Sequence, residues 1–135
     1  MDSLEIELIL ARHLVSRLAV PVLLVDARGD TLFFNEPAEQ IFRQRFDDFE
    51  TMSFEQRAAM LAPLDREGQH LPADQLPGIV AMRERRPAHA AFRIHSVDRV
   101  PHDVEVTAIP LEGVGGNVLG AMVILWKEHR AAARE

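Results

Sequence analysis

Apolar residues change their period along this chain, and each change predicts an element. From Asp2 to Ala19 they recur at steps of three and four. Leu4, Leu8, Ala11, Val15 and Leu18 form one stripe, and Ile6, Leu10 and Leu14 a second. That spacing predicts an amphipathic helix, opened by an Asp2/Glu5 capping box and ended by Pro21. The apolar arc is wider than one packing contact requires, so the helix is expected to touch both its own domain and a second copy. After Pro21 the pattern is that of strands. Val22–Val25 and Thr31–Phe34 flank the turn Asp26-Ala27-Arg28-Gly29-Asp30, which predicts a hairpin. Asn35-Glu36-Pro37 then carries the marks of a helix start: a capping side chain, an acid in the first turn and proline at the first helical positions.

The stretch from Gln44 to Arg86 is broken by Pro63, Gly68, Pro72 and Pro77. Helical pieces are expected at Ser53–Leu61 and Ala73–Arg85, with Ser53 and Asp74 as caps, and Asp47-Asp48-Phe49-Glu50 reads as a solvated loop. Ala90–His95 is a strand leading to a turn at Asp98-Arg99. Val104, Val106 and Ala108 alternate with Asp103, Glu105 and Thr107, the mark of a half-exposed strand. Val118–Trp126 is apolar almost throughout and needs cover on both faces, the second from the N-terminal helix. The order predicts an α+β fold: a five-stranded antiparallel sheet with short helices on one face and an N-terminal amphipathic helix. The expected organisation is a helix at 1–19, a globular domain at 20–127 and a tail at 128–135.

Composition narrows the function. The 135 residues suit one domain with a real core. The absence of cysteine removes disulfide scaffolds, thiol nucleophiles and Cys-ligated metal centres. Against 15 Lys and Arg stand 21 Asp and Glu, and there is no Tyr and a single Trp, so nucleic acid is not expected as a partner. The apolar runs are too short for a membrane span and the start lacks a basic signal region, so a cytoplasmic location with no membrane partner is expected.

Several strings in this order resemble a PAS domain, the small sensor module of bacterial and eukaryotic signalling proteins. Val22-Leu23-Leu24-Val25-Asp26-Ala27-Arg28-Gly29-Asp30 is similar to the first strand and its turn. Leu32-Phe33-Phe34-Asn35-Glu36-Pro37-Ala38-Glu39 resembles the second strand running into an Asn-capped helix. Leu64-Asp65-Arg66-Glu67-Gly68, Leu71-Pro72 and Leu76-Pro77 resemble the approach to the family's long central helix. Val104–Leu111 and Gly115–Gly120 resemble the fourth strand and the turn into the fifth. The likeness spans about residues 20–127. One departure stands out: the family's frequent closing Asp-x-Thr motif is replaced by Trp126-Lys127-Glu128-His129.

The resemblance implies a ligand cavity between the middle helices and the sheet. Phe42, Phe46, Leu76, Ile79, Val80, Phe92, Ile94 and Met122 would line it, suiting a lipid-like or other apolar small molecule. The same residues would equally fill a closed core. The cofactor, if any, is unknown. Haem is disfavoured because the stretch Asp74–Arg85 has no histidine, His70 lying just before it. Flavin photochemistry of the LOV type needs a cysteine and is excluded. If Asp98-Arg99 is a two-residue turn, His95 faces His102 across the hairpin at about 5 Å between Cβ atoms, an exposed polar pair or a weak metal site. No nucleophile–base arrangement is evident, so no enzyme is expected.

The resulting expectation is a non-catalytic sensory or regulatory module, homodimeric through Leu4, Leu8, Ala11, Val15 and Leu18. It would communicate with a signalling effector protein. The alternatives are an interaction domain with a filled core, or a small-ligand enzyme.

Overall fold

The computed structural model describes residues 3–51, 53, 56, 62–65 and 67–127, the side chains of residues 3–5 and 127 excepted. The Asp2/Glu5 capping box, the Leu4 side chain, most of the Ser53–Leu61 piece and the tail at 128–135 lie outside those residues. Ser53 itself behaves as a cap: its Oγ accepts from the Gln56 N–H, and the Gln56 side chain accepts from the Ser53 N–H.

Helix α1 (Ser3–Val15) leads into β1 (Val22–Asp26) and β2 (Thr31–Phe34), followed by α2 (Glu36–Phe42) and a short α3 (Phe46–Glu50). A single 3₁₀ turn, Ala73–Gln75, precedes α4 (Pro77–Glu84). The chain closes with β3 (Ala88–His95), β4 (Pro101–Glu112) and β5 (Val118–Lys127). All neighbouring strands are antiparallel, in the order β2-β1-β5-β4-β3. The expected α+β architecture is therefore present, with β5 central as its unbroken apolarity requires.

Local chemistry explains most of these boundaries. In the β1–β2 turn Gly29 takes φ +91°, and Asp26 Oδ1 accepts from the N–H groups of Arg28 and Asp30. Gly120 lets β5 pass β1, since a Cβ there would collide with the Val25 carbonyl. Asn35 is buried and joins three elements. Its Oδ1 accepts from Ala38 N–H (3.2 Å), capping α2, and from Val22 N–H (3.1 Å) at the head of β1. Its Nδ2 donates to the carbonyls of Val15 (3.0 Å) and Val20 (2.9 Å), fixing the exit from α1.

Three local expectations are corrected. Ala73–Arg85 is not one helix, and Asp74 does not cap it. Leu76 precedes a proline and is held extended at φ −70°, ψ 137°, so α4 begins only at Pro77. Asp47-Asp48-Phe49-Glu50 is not a loop but most of α3, whose Phe46 and Phe49 are buried one helical turn apart while both aspartates face out. The β3–β4 turn has three residues, not two. Ser96 pairs with Val100, Arg99 takes φ +70°, and the register becomes Ile94 opposite His102 and His95 opposite Pro101. A one-residue slip sends alternate side chains to opposite faces, so His95 and His102 are not a pair.

Candidate ligand cavity

Strand parity divides the apolar residues between the two faces of the sheet. Leu23 and Val25 share a face with Val104, Val106, Val123, Leu125, Phe92 and Ile94, as their register shows. Helices α2, α3 and α4 lie over this inner face. On the α2–α3 side it is closed by aromatic rings. Phe34 is fully buried and meets Phe42 (5.0 Å), Phe46 (5.2 Å) and Phe49 (5.0 Å) edge-on.

On the α4 side a cavity of ≈170 Å³ remains. Its floor is Leu23, Val25, Val106, Val123 and Leu125, with Phe92 and Ile94 at one side. Its roof is Phe42, Pro63 and the run Leu76–Ile79, and the β1–β2 turn brings Gly29 and Thr31 to its edge. Gly29 has a second task here: a Cβ on it would stand 2.7 Å from Ile79 Cδ1. The volume is below the roughly 300–1,000 Å³ of sites for drug-sized ligands. It is close to the ~150 Å³ of an apolar cavity that accepts benzene.

Five of the eight residues expected at a cavity line it: Phe42, Leu76, Ile79, Phe92 and Ile94. Phe46 instead packs among Phe33, Phe34 and Phe49. Val80 is half-buried on α4 without reaching the lining. Met122 lies on the opposite face of the sheet, opposite Leu24 and Ile109, and its neighbour Val123 points inward in its place. A strand apolar at every position has no alternation from which to read its facing. The clean alternation of Val104, Val106 and Ala108, carried across the β4–β5 pairing, is the signal that singles out Val123 and Leu125. Thr31, Pro63 and Gly78 were missed as well, because only the packing of α4 brings them to one space.

None of the lining residues among those described is titratable, and no group of three His, Asp or Glu suited to a metal occurs there. Charged pairs sit elsewhere. Arg93 and Asp103 form a two-pronged pair on the outer face (2.8 and 3.3 Å), and Asp103 raises the Arg93 guanidinium above its ordinary pKa through the hydrogen bond and its charge. In the β3–β4 turn the Ser96 hydroxyl donates to Asp98 and lowers its carboxyl below the usual range, with a smaller contribution from Arg43 (3.5 Å) that outweighs no more than part of the opposing burial. Val97 N–H donates to the Phe42 carbonyl (2.8 Å), tying this turn to the end of α2.

The N-terminal helix packs against β1. Of the residues expected at a dimer contact, Val15 is fully buried within its own chain, and Leu8, Ala11 and Leu18 are half-buried. The other stripe faces out: Ile6 (50% exposed), Leu10 (62%) and Leu14 (54%), with Ile9 beside it. Arg12 lies over the rings of Phe33 (4.5 Å) and Phe46 (5.5 Å), pinning the helix to the aromatic side. On the outer face of the sheet Ile109 and Trp126 are also exposed. Among the described residues no helix is long and apolar enough to cross a membrane.

Comparison with known proteins agrees with this geometry. The PAS domain of Bordetella pertussis BvgS has TM-score 0.58 at 14% identity, over 94% of this chain and 90% of that one. A LOV protein of Rhodobacter sphaeroides reaches 0.63 at 17% identity, over 98% and 72%. Phage VqmA, solved as a complex with DPO, reaches 0.64 at 14% identity, over 96% of this chain but only 56% of VqmA. No protein-family model and no curated protein matches the chain. At such identities the likeness is one of fold, and the fold is that of a PAS domain.

Proposed function

We propose that this chain is a non-catalytic sensory module of a cytoplasmic signalling system, homodimeric, with an apolar small molecule bound in the cavity under α4. The observation that carries the reading is that cavity. It lies between the sheet and a helix, open to solvent on one side, lined almost wholly by apolar groups, and without a titratable side chain among its described lining to serve as acid or base. Phage VqmA, about half of which shares this fold, was solved as a complex with DPO, which lends the reading support by analogy of fold alone. Ligand binding would act on a downstream effector protein by favouring one packing of α1 and β5 over another, and it does so only as far as the ligand binds one packing better.

Dimerisation would use the outward stripe of α1. Ile6, Leu10 and Leu14 recur every fourth residue and so form one continuous ridge, the self-complementary surface that a twofold contact requires. The residues that face the domain, Val15 foremost, then hold the helix in place.

Native mass spectrometry beside the denatured mass tests both parts. A dimer carrying added non-protein mass is the expected result, and a bare monomer overturns the reading. Replacing Leu10 and Leu14 together by Glu, both exposed in the single chain, is expected to leave the fold intact and give monomers. A dimer of unchanged mass would remove α1 from the interface.

A further inference from the structure

Resting on the cavity reading above, we propose that the site selects single-ring molecules bearing one neutral hydrogen-bonding substituent, and that the Thr31 hydroxyl is the group that reads it. Thr31 lines the cavity and is only 8% exposed. It stands opposite Val25 in the β1–β2 pairing, and so on the sheet face that α4 covers. Its backbone serves the ladder, yet its hydroxyl makes no hydrogen bond with any described residue. The hydroxyl oxygen is not sealed off, so a molecule in the cavity can reach it. Thr31 is also the one polar side chain among the described lining residues.

The remaining chemistry follows from the walls. The ≈170 Å³ volume takes one six-membered ring with a small substituent. A hydroxyl both donates and accepts, so a phenolic OH, a ring nitrogen or a carbonyl would each satisfy Thr31. A charged substituent is refused, since no described lining residue carries a counter-charge and burying an unpaired ion is prohibitive. A second polar substituent would meet only apolar walls.

The test uses phenol and toluene, which differ by OH against CH₃ at nearly equal size, titrated calorimetrically into the whole chain, its Thr31→Val variant and its Thr31→Ser variant. The quantity read is the ratio of the two dissociation constants, which cancels the ligands' different hydration when compared between proteins. The expected result is a preference for phenol that falls about tenfold in Thr31→Val, with toluene binding kept, and survives in Thr31→Ser. Binding of both ligands with a ratio unchanged in Thr31→Val overturns the role of Thr31 and leaves the cavity reading standing. Failure of both ligands to bind the wild-type chain overturns the cavity reading itself. Should Thr31→Val not fold, wild-type NMR decides. Phenol ring protons are expected to show an NOE to the Thr31 methyl group, and its absence with phenol bound overturns the proposal.

Discussion

One face of one sheet is packed in two ways. Under α2 and α3 the helices bring phenylalanines, and the rings of Phe42, Phe46 and Phe49 meet Phe34 edge-on at 5.0–5.2 Å. Under α4 the first turn brings Pro77 and Gly78, with Gly29 from the neighbouring turn; Gly78 lies close against Val123 and Val25, and these small residues leave the space beside them unfilled. The contrast is one of side-chain size, not of hydrophobicity, for both halves are apolar. The cavity under α4 lies beside small residues, whereas under α2 and α3 aromatic rings fill the corresponding space.

The largest break in that contrast comes from removing a ring. Phe34→Ala is expected to cost about 4 kcal/mol in denaturant unfolding, since a fully buried side chain leaves a void among its neighbours. Ile79→Ala, which only widens existing space at a half-buried site, should cost about 2 kcal/mol or less. Equal losses would mean that the two halves are packed alike.

Enlargement sharpens the comparison at smaller scale. Ala38→Val in the fully buried start of α2 is expected to destabilise by about 1–3 kcal/mol through overpacking. Val123→Leu adds one methylene toward the cavity and should change stability by less than about 1 kcal/mol while weakening any ligand held there. A penalty for Val123→Leu as large as for Ala38→Val would show the cavity to be closed in solution.

The smallest effect concerns acid. Asp98 sits in the turn that Val97 ties to α2, so it belongs to the aromatic half alone. Its carboxyl titrates below the ordinary carboxylate value of about 3.9. Its contribution is therefore complete above that value and is lost as the pH falls through the lowered one. Amide shifts of Val97 and Arg43 should move in that acid range in the native protein and stay still in Asp98→Asn, while those of Ile79 and Val123 on the cavity side do not follow. Movement of both sets together would make the turn part of a global transition instead.

How much of this was legible depends on how local the deciding interaction is. Asn35 before Glu36-Pro37, Gly29 in its turn, and the alternation from Asp103 to Ala108 act within a few residues, and the α2 start, the first hairpin and the facing of β4 were readable from them. Five of the residues around the cavity, Phe42, Leu76, Ile79, Phe92 and Ile94, were legible only through the resemblance to a PAS domain and not through periodicity.

Other features are set at a distance. Whether the β3–β4 turn holds two residues or three rests on Arg99 accepting a left-handed φ and on Val97 finding the Phe42 carbonyl, a partner from another element. Met122 and Val123 are equally apolar, and only pairing with β1 and β4 assigns one to each face. Helix α1 has two apolar stripes, and which one turns inward is decided by Val15 and by Asn35 gripping the carbonyls at its exit. The sequence by itself determined α1, α2, the five strands, their order and the α+β class, because hydrophobic period and capping are local, while α3 and the start of α4 escaped it. Tertiary structure decided register, facing and empty space, because these depend on which surfaces meet, and a uniformly apolar segment carries no mark of its neighbour.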